Sequence, residues 1–179
     1  MKKKITVPDI MACKGGSKVP TMITCYDYTN AQLVDESNID MILVGDSLGM
    51  TMLGYKGTVG VTVDDIIYHT KHVVKGAPNT FVIGDMPFGS YNVSIEDAVK
   101  NANRIFTEGG CDCIKLEGGS DVAPVIKAIV KAGMPVCAHI GLTPQTSAMM
   151  GGFKVQGKSL EAAQELLDSA RAVAEAEIG

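Results

Sequence analysis

Three short apolar runs in this chain end in an acid. MILVGDS (41–47), TFVIGDM (80–86) and CIKLEGG (113–119) place Asp46, Asp85 and Glu117 at equivalent points. Short runs of branched side chains bounded by turn residues suit strands buried on both faces, as in a parallel sheet. The three acids then share the carboxyl edge of that sheet, where α/β proteins bind ligands. Crowded carboxylates repel one another unless protons or a cation neutralise them, and an all-oxygen set favours a hard ion such as Mg²⁺. One such acid alone would be read as a strand-end residue facing solvent; recurrence on three successive runs points to a site. Lys115 stands two residues before Glu117, so on a strand both face the same way. An ammonium beside a metal-bound acid could stabilise a developing oxyanion. His139, in PVCAHIG (135–141) and on the parity of Cys137, would alone be a hydrogen-bonded core residue. Beside the fourth strand it becomes a credible substrate contact.

The elements that must position these groups alternate along the chain. Residues 1–20 show no strong period and form a lead-in that could cap or plug something. MITCYDY (22–28) reads as a first strand, followed by a short helix over 30–37 with Ala31, Leu33 and Val34 inward. A loop over 48–60, holding Gly49, Gly54, Gly57 and Gly60, is long enough to cover a site. Thr62 suits an N-cap, Asp64 and Asp65 suit the positive end of the helix dipole, and Val63, Ile66, Ile67, Thr70 and Val74 form one helical face ending near Gly76. His69 and His72 on that helix are expected on its solvated side. Ser94 with Asp97 resembles a capping box opening a helix on Ile95, Ala98, Val99, Ala102, Ile105 and Phe106. Asp121 is expected to cap a helix on Val122, Val125, Ile126, Ile129 and Val130. A last helix, 159–174, would bury Leu160, Ala163, Leu166, Leu167, Ala170 and Val173. Met149 and Met150 read as loop packing.

Five strand-helix units make consecutive strands parallel. They build either an open doubly wound sheet or part of an eight-fold barrel. CYDYTNAQ (25–32) stands where a dinucleotide fold would carry its glycine fingerprint, which favours the barrel. A complete (β/α)8 barrel takes about 250 residues. The 179 residues here are therefore expected to be one domain, the N-terminal two-thirds of a longer barrel: lead-in 1–20, then the first five βα units over 21–179.

Composition narrows the function classes. With 46% hydrophobic residues and a formal charge of -4, the chain has no electrostatic reason to bind nucleic acid or an anionic membrane. It lacks an apolar stretch of the ~18 residues a membrane span needs, and it has no signal-peptide core, so a cytoplasmic location is expected. Five scattered cysteines suit reduced thiols. Cys111-x-Cys113 is too closely spaced, without a second pair, to read as a metal site.

MITCYDYTNAQL, VGDSLGMT, GDMPFGSY, IKLEGG, and above all CAHIGLTPQ followed by GGFKVQGK resemble ketopantoate hydroxymethyltransferases from about Val7 to about Ala174. The resemblance implies a (β/α)8 barrel of the phosphoenolpyruvate/pyruvate type, a 2-oxoacid substrate (2-oxoisovalerate), 5,10-methylenetetrahydrofolate as co-substrate, Mg²⁺ as cofactor, and a homo-oligomer, decameric in the family. It implies Asp46, Asp85 and Glu117 as metal-binding acids, the last directly or through water. Ser47, Asp85 and Lys115 become oxoacid-binding residues, and Lys115 and His139 catalytic ones. The family's general base, a glutamate just after the sixth strand, has no match within residues 1–179. Two other readings stay open: a folate-independent carbon–carbon bond enzyme of the same barrel class, or a non-catalytic fragment lacking the base.

Overall fold

The apolar runs form five strands, β1 (Met22–Thr24), β2 (Met41–Val44), β3 (Phe81–Asp85), β4 (Cys113–Glu117) and β5 (Val136–His139), in a computed structural model that describes residues 2–149 and 151–178. All neighbours are parallel and the spatial order β1-β2-β3-β4-β5 is the sequence order. A doubly wound sheet reverses its order at a switch point. This sheet does not, so it is a singly wound arc of the kind that closes into a barrel. β3 and β4 are buried throughout, whereas β1 is exposed and β5 half-buried.

The loop after β2 opens with a single helical turn, α3 (Leu48–Thr51). The helices α2 (Tyr28–Asp35), α4 (Val63–Gly76), α5 (Ile95–Arg104), α6 (Ala123–Lys131) and α7 (Leu160–Ile178) form one layer. α2 packs on α4, α4 on the π-helical turn Ile105–Gly109 that continues α5, α5 on α6, and α6 on α7. Between layer and sheet lies the main core, with Ile42, Val44, Val82, Ile114 and Leu116 meeting Ile66, Val73, Ala102, Ile105, Ile126 and Ile129. The opposite face of the arc carries Phe81, Ile83 and Cys113, with Met41, Leu43 and Cys137 beside them. Ile5, Val7 and Ile10, in and beside α1 (Val7–Ala12), cover that cluster. The lead-in is thus a plug on the inner face.

Local chemistry accounts for most boundaries. Thr62 caps α4 through Asp65 N, and Asp65 closes the reciprocal bond to Thr62 N. Ser94 accepts from Asp97 N at the start of α5, and Gly110 at φ +79° ends the π turn in a conformation suited to glycine. Gly84 serves packing: a Cβ there would lie 2.7 Å from Ile105 Cγ2 and 3.1 Å from Cys111 Sγ.

Several expectations are corrected. β1 has three residues and α2 begins at Tyr28, because Asp27 accepts from Asn30 N and starts the helix early. Leu33, Ile95, Leu160 and Leu167 are exposed. On α4, Val73 is fully buried while Val74 is partly so. Asp121 does not cap α6: its carboxylate accepts from Gly119 N at 2.9 Å, and the helix opens at Ala123. α7 continues to Ile178. Met149 is exposed rather than packed; Met150 lies outside the described residues. His69 is half-buried, its Nδ1 2.6 Å from Tyr26 O, and His72 Nδ1 lies 2.7 Å from Tyr68 O. Among the described residues no helix is long and apolar enough to cross a membrane.

Candidate active site

Strand register brings the sequence-derived groups together. Asp85 pairs with Lys115 across β3 and β4, and Glu117 with His139 across β4 and β5. Asp46 follows β2 by two residues, and its backbone N–H donates to Asp85 Oδ2 at 3.0 Å. Lys115 Nζ donates to Asp85 Oδ2 and to Glu117 Oε1, each at 3.0 Å. His139 Nδ1 lies 3.2 Å from the same Glu117 oxygen. Ser47 Oγ is 2.8 Å from Tyr26 OH. These groups line a cavity of about 670 Å³ with apolar walls from Leu43, Met50, Ile140, Pro144 and Phe153. That volume suits a small-molecule site. A smaller cleft of about 280 Å³ between the Gly118–Asp121 loop and α7 shares only Glu117 and Ile140 with it.

Electrostatics divides the carboxylates into two kinds. Burial pushes Asp85 up to about 7, reinforced by the charge of Asp46 and opposed by Lys115. Burial likewise raises Asp46, against Lys115 and the Gln145 amide. Glu117 goes the other way. Burial alone would raise it, but His139, Lys115 and the Gln145 backbone N–H together hold it below the usual carboxylate range. Burial alone would lower Lys115, and Asp85 and Glu117 more than offset this. Lys115 is thus a buried ammonium between two acids.

The residues were tested against the hard cation expected from their types. Asp85 Oδ1 is buried without a hydrogen-bond partner. Asp46 Oδ2 accepts from Gln145 Nε2 at 2.9 Å, and the Thr58 hydroxyl also favours its charged form. Asp85 therefore keeps one oxygen free, and Asp46 meets only neutral side-chain donors, Gln145 and Thr58, which fits a divalent ion that retains other oxygen ligands. Glu117 is more heavily engaged: Lys115 and His139 lie on Oε1, while Oε2 accepts from Gln145 N at 3.1 Å and keeps a second lone pair. Among the described residues no group of three His, Cys, Asp or Glu side chains is arranged to hold a metal. Glu117 also holds Lys115 in place.

Three residues escaped the sequence reading. Gln145 and Tyr91 are buried and join the carboxylates, and Thr58 Oγ1 is a buried hydroxyl without a partner on the cavity wall. They are neutral groups in irregular segments, with no strand period to single them out. TPQ and GSY lie within the quoted motifs, but their chemistry alone did not mark them.

Fold and site together define a protein of the (β/α)8-barrel fold, of which five βα units are present here, with a carboxylate-lined site at the strand ends; in fold it is similar to members of the phosphoenolpyruvate mutase/isocitrate lyase superfamily. The chain resembles 2,3-dimethylmalate lyase, a member of that superfamily, with a TM-score of 0.65 at 15% identity over 96% of this chain and 61% of that one. Against phosphonopyruvate hydrolase the TM-score is 0.70 at 12% identity, over 96% and 60%. At these identities the likeness is one of fold. The family model described as ketopantoate hydroxymethyltransferase matches residues 4–178, and the chain belongs to that family. It is 60% identical over 173 residues to 3-methyl-2-oxobutanoate hydroxymethyltransferase of Heliobacterium modesticaldum, and 55% identical over 171 residues to that of Desulfotalea psychrophila. The matches take in 97% and 96% of this chain but 63% and 61% of the relatives' own lengths.

Proposed function

We propose that the protein to which this chain belongs transfers a hydroxymethyl group from 5,10-methylenetetrahydrofolate to 2-oxoisovalerate, giving ketopantoate. The observation that carries this reading is Lys115, a buried ammonium 3.0 Å from Asp85, whose other oxygen is buried and unpartnered, with Asp46 beside them. Family membership and the names of the relatives supply the substrate.

Asp46 and Asp85 would hold Mg²⁺, which when bound supplies positive charge beside the keto and carboxylate oxygens of the oxoacid. A solved relative in fold, phosphonopyruvate hydrolase, carries oxalate and Mg²⁺ in one structure, which supports an oxoacid-like ligand at this edge. Lys115 would place its ammonium against the oxygen that gains charge when the proton leaves C3, a contact worth about 3–4 kcal/mol in the transition state. Glu117 keeps Lys115 charged and in place. His139, oriented through Nδ1, and Ser47, held by Tyr26, would bind substrate oxygens. The proton acceptor is assigned to none of the acids: Asp46 and Asp85 are turned to the ion, and both Glu117 oxygens are engaged. The new bond joins C3 to the one-carbon unit, whose two C–N bonds to the folate break; water supplies the hydroxyl, and its other proton together with the one lost from C3 goes to the two nitrogens, releasing tetrahydrofolate.

The test is product analysis of the purified protein with 2-oxoisovalerate, with and without methylenetetrahydrofolate, across a Mg²⁺ titration. Ketopantoate that requires both folate and Mg²⁺ supports the reading. Turnover of the oxoacid without folate would assign another enzyme of this barrel class, and no turnover by a chain of 18.8 kDa would leave it a non-catalytic unit.

A further inference from the structure

We propose that Gln145 is a positioning residue that decides which oxygen of Asp46 faces the cation. This rests on the reading of Asp46 and Asp85 as the ion's holders. Gln145 sits in the 3₁₀ turn Pro144–Thr146 after β5, only 3% exposed. Every polar group of its side chain is used. Nε2 donates to Asp46 Oδ2 and to Met86 O, both at 2.9 Å, while Oε1 accepts from Tyr91 OH at 2.6 Å. Its backbone N–H donates to Glu117 Oε2. One residue thereby ties the ends of β2, β3 and β4 to the turn after β5.

The amide can take one orientation only. Turned over, Oε1 would face Asp46 Oδ2 and Met86 O, two acceptors with no proton between them, and the NH₂ would face Tyr91. Asp46 Oδ2 and Met86 O enforce the choice, and Tyr91 completes it by donating to Oε1, while its oxygen accepts from Glu117 N at 3.3 Å and lies 3.0 Å from Glu117 O. Tyr91 therefore registers the Gln145 amide against the backbone of β4. With Oδ2 of Asp46 held, Oδ1 is the oxygen left over. The neutrality of the amide matters too. Lysine or arginine here would satisfy Asp46 but repel a divalent ion, whereas an amide orients the carboxylate and leaves its charge intact. A group with only a packing role would more cheaply be apolar, because a buried amide must keep all its partners.

The experiment is calorimetric titration of the purified protein with Mg²⁺ for wild type, Gln145→Ala and Tyr91→Phe, with melting curves recorded without metal. Gln145→Ala is expected to weaken Mg²⁺ binding at least tenfold. Tyr91→Phe, nearly isosteric, removes only the group that registers the amide, and a weakening of about threefold is expected. Lowered melting temperatures with unchanged Mg²⁺ affinity in both variants would make Gln145 a packing residue and overturn the proposal. Should Gln145→Ala fail to fold, Tyr91→Phe decides alone: unchanged affinity overturns it. A wild-type protein that binds no Mg²⁺, with Asp85→Asn titrating identically, overturns the underlying reading of the aspartates and the proposal with it.

Discussion

The backbone N–H of Asp46 donates to Asp85 Oδ2 at 3.0 Å, so the end of β2 holds one oxygen of the β3 carboxylate and leaves Oδ1 buried and unpartnered. Without an ion this carboxylate is a cost to the fold, because burial opposes its charge. Asp85→Asn keeps an oxygen for Asp46 N while removing that charge. The metal-free variant is expected to melt at or above the wild-type temperature. Stabilisation by Mg²⁺, about 2.7 kcal/mol at a hundredfold excess over Kd, should be lost. Scanning calorimetry in chelator and in millimolar Mg²⁺ measures both, and an apo variant melting well below wild type would count against this account.

The raised value of Asp85 gives a pH dependence whose sign is fixed. A carboxyl at about 7 in the fold and near 3.9 unfolded contributes its stability in full below about pH 4. That contribution is lost as pH rises through 7, so the metal-free protein should melt lower at pH 8 than at pH 5.5. Protons also compete with the ion. Mg²⁺ affinity should fall by up to tenfold per unit below pH 7, with proton uptake or release visible in buffers of different ionisation enthalpy. A pH-independent affinity between 5.5 and 7.5 would rule this out.

Lys115 joins binding, catalysis and stability in one side chain. Lys115→Ala removes the ammonium between Asp85 and Glu117. Turnover is expected to fall about a hundredfold or more, equivalent to ~3 kcal/mol, with a much smaller change in oxoacid KM. Leaving two buried carboxylates uncompensated costs the fold about 3–5 kcal/mol. Steady-state kinetics sorts the outcomes: unchanged turnover would sink the catalytic role.

The strand ends were the legible part of this chain. Asp46, Asp85, Lys115, Glu117 and His139 could be placed on one edge because strands alternate with period two and their ends are marked by glycine. The helix caps at Thr62 and Ser94 were legible for a similar local reason. What sequence could not show is how donors are shared out. That Lys115 and His139 share Oε1 of Glu117 while Gln145 N takes Oε2 is one case. Gln145 reaches Asp46 across a sequence separation of 99, and no local pattern encodes such a contact. The exposed Leu33, Ile95, Leu160 and Leu167 failed for another reason: periodicity defines a helix face, but neighbouring helices decide how far round that face burial extends.

Thiol chemistry offers an independent test of the layering. Cys25, Cys111 and Cys113 are buried, and burial pushes Cys111 up to about 12 and raises Cys25. Cys13, beyond α1, is partly exposed. Reactive thiols need both exposure and thiolate character, so Cys13 should be alkylated first at pH 8 and these three only on unfolding. Peptide mass mapping after brief iodoacetamide treatment reads this directly; early labelling of Cys111 or Cys113 would contradict the packing.

Gly84 carries the sharpest packing prediction. It lies inside β3 with the π turn after α5 pressed against it. Gly84→Ala would set a methyl 2.7 Å from Ile105 Cγ2, and both neighbours belong to the main core. Overpacking of this kind costs about 1–3 kcal/mol. Because Asp85 follows directly, displacing β3 here should also move the carboxylate that meets Lys115. The expected result is a lower melting temperature together with weaker Mg²⁺ binding. Pairing Gly84→Ala with Ile105→Val relieves the contact, and recovery of both properties in the double variant would show that one steric contact governs them.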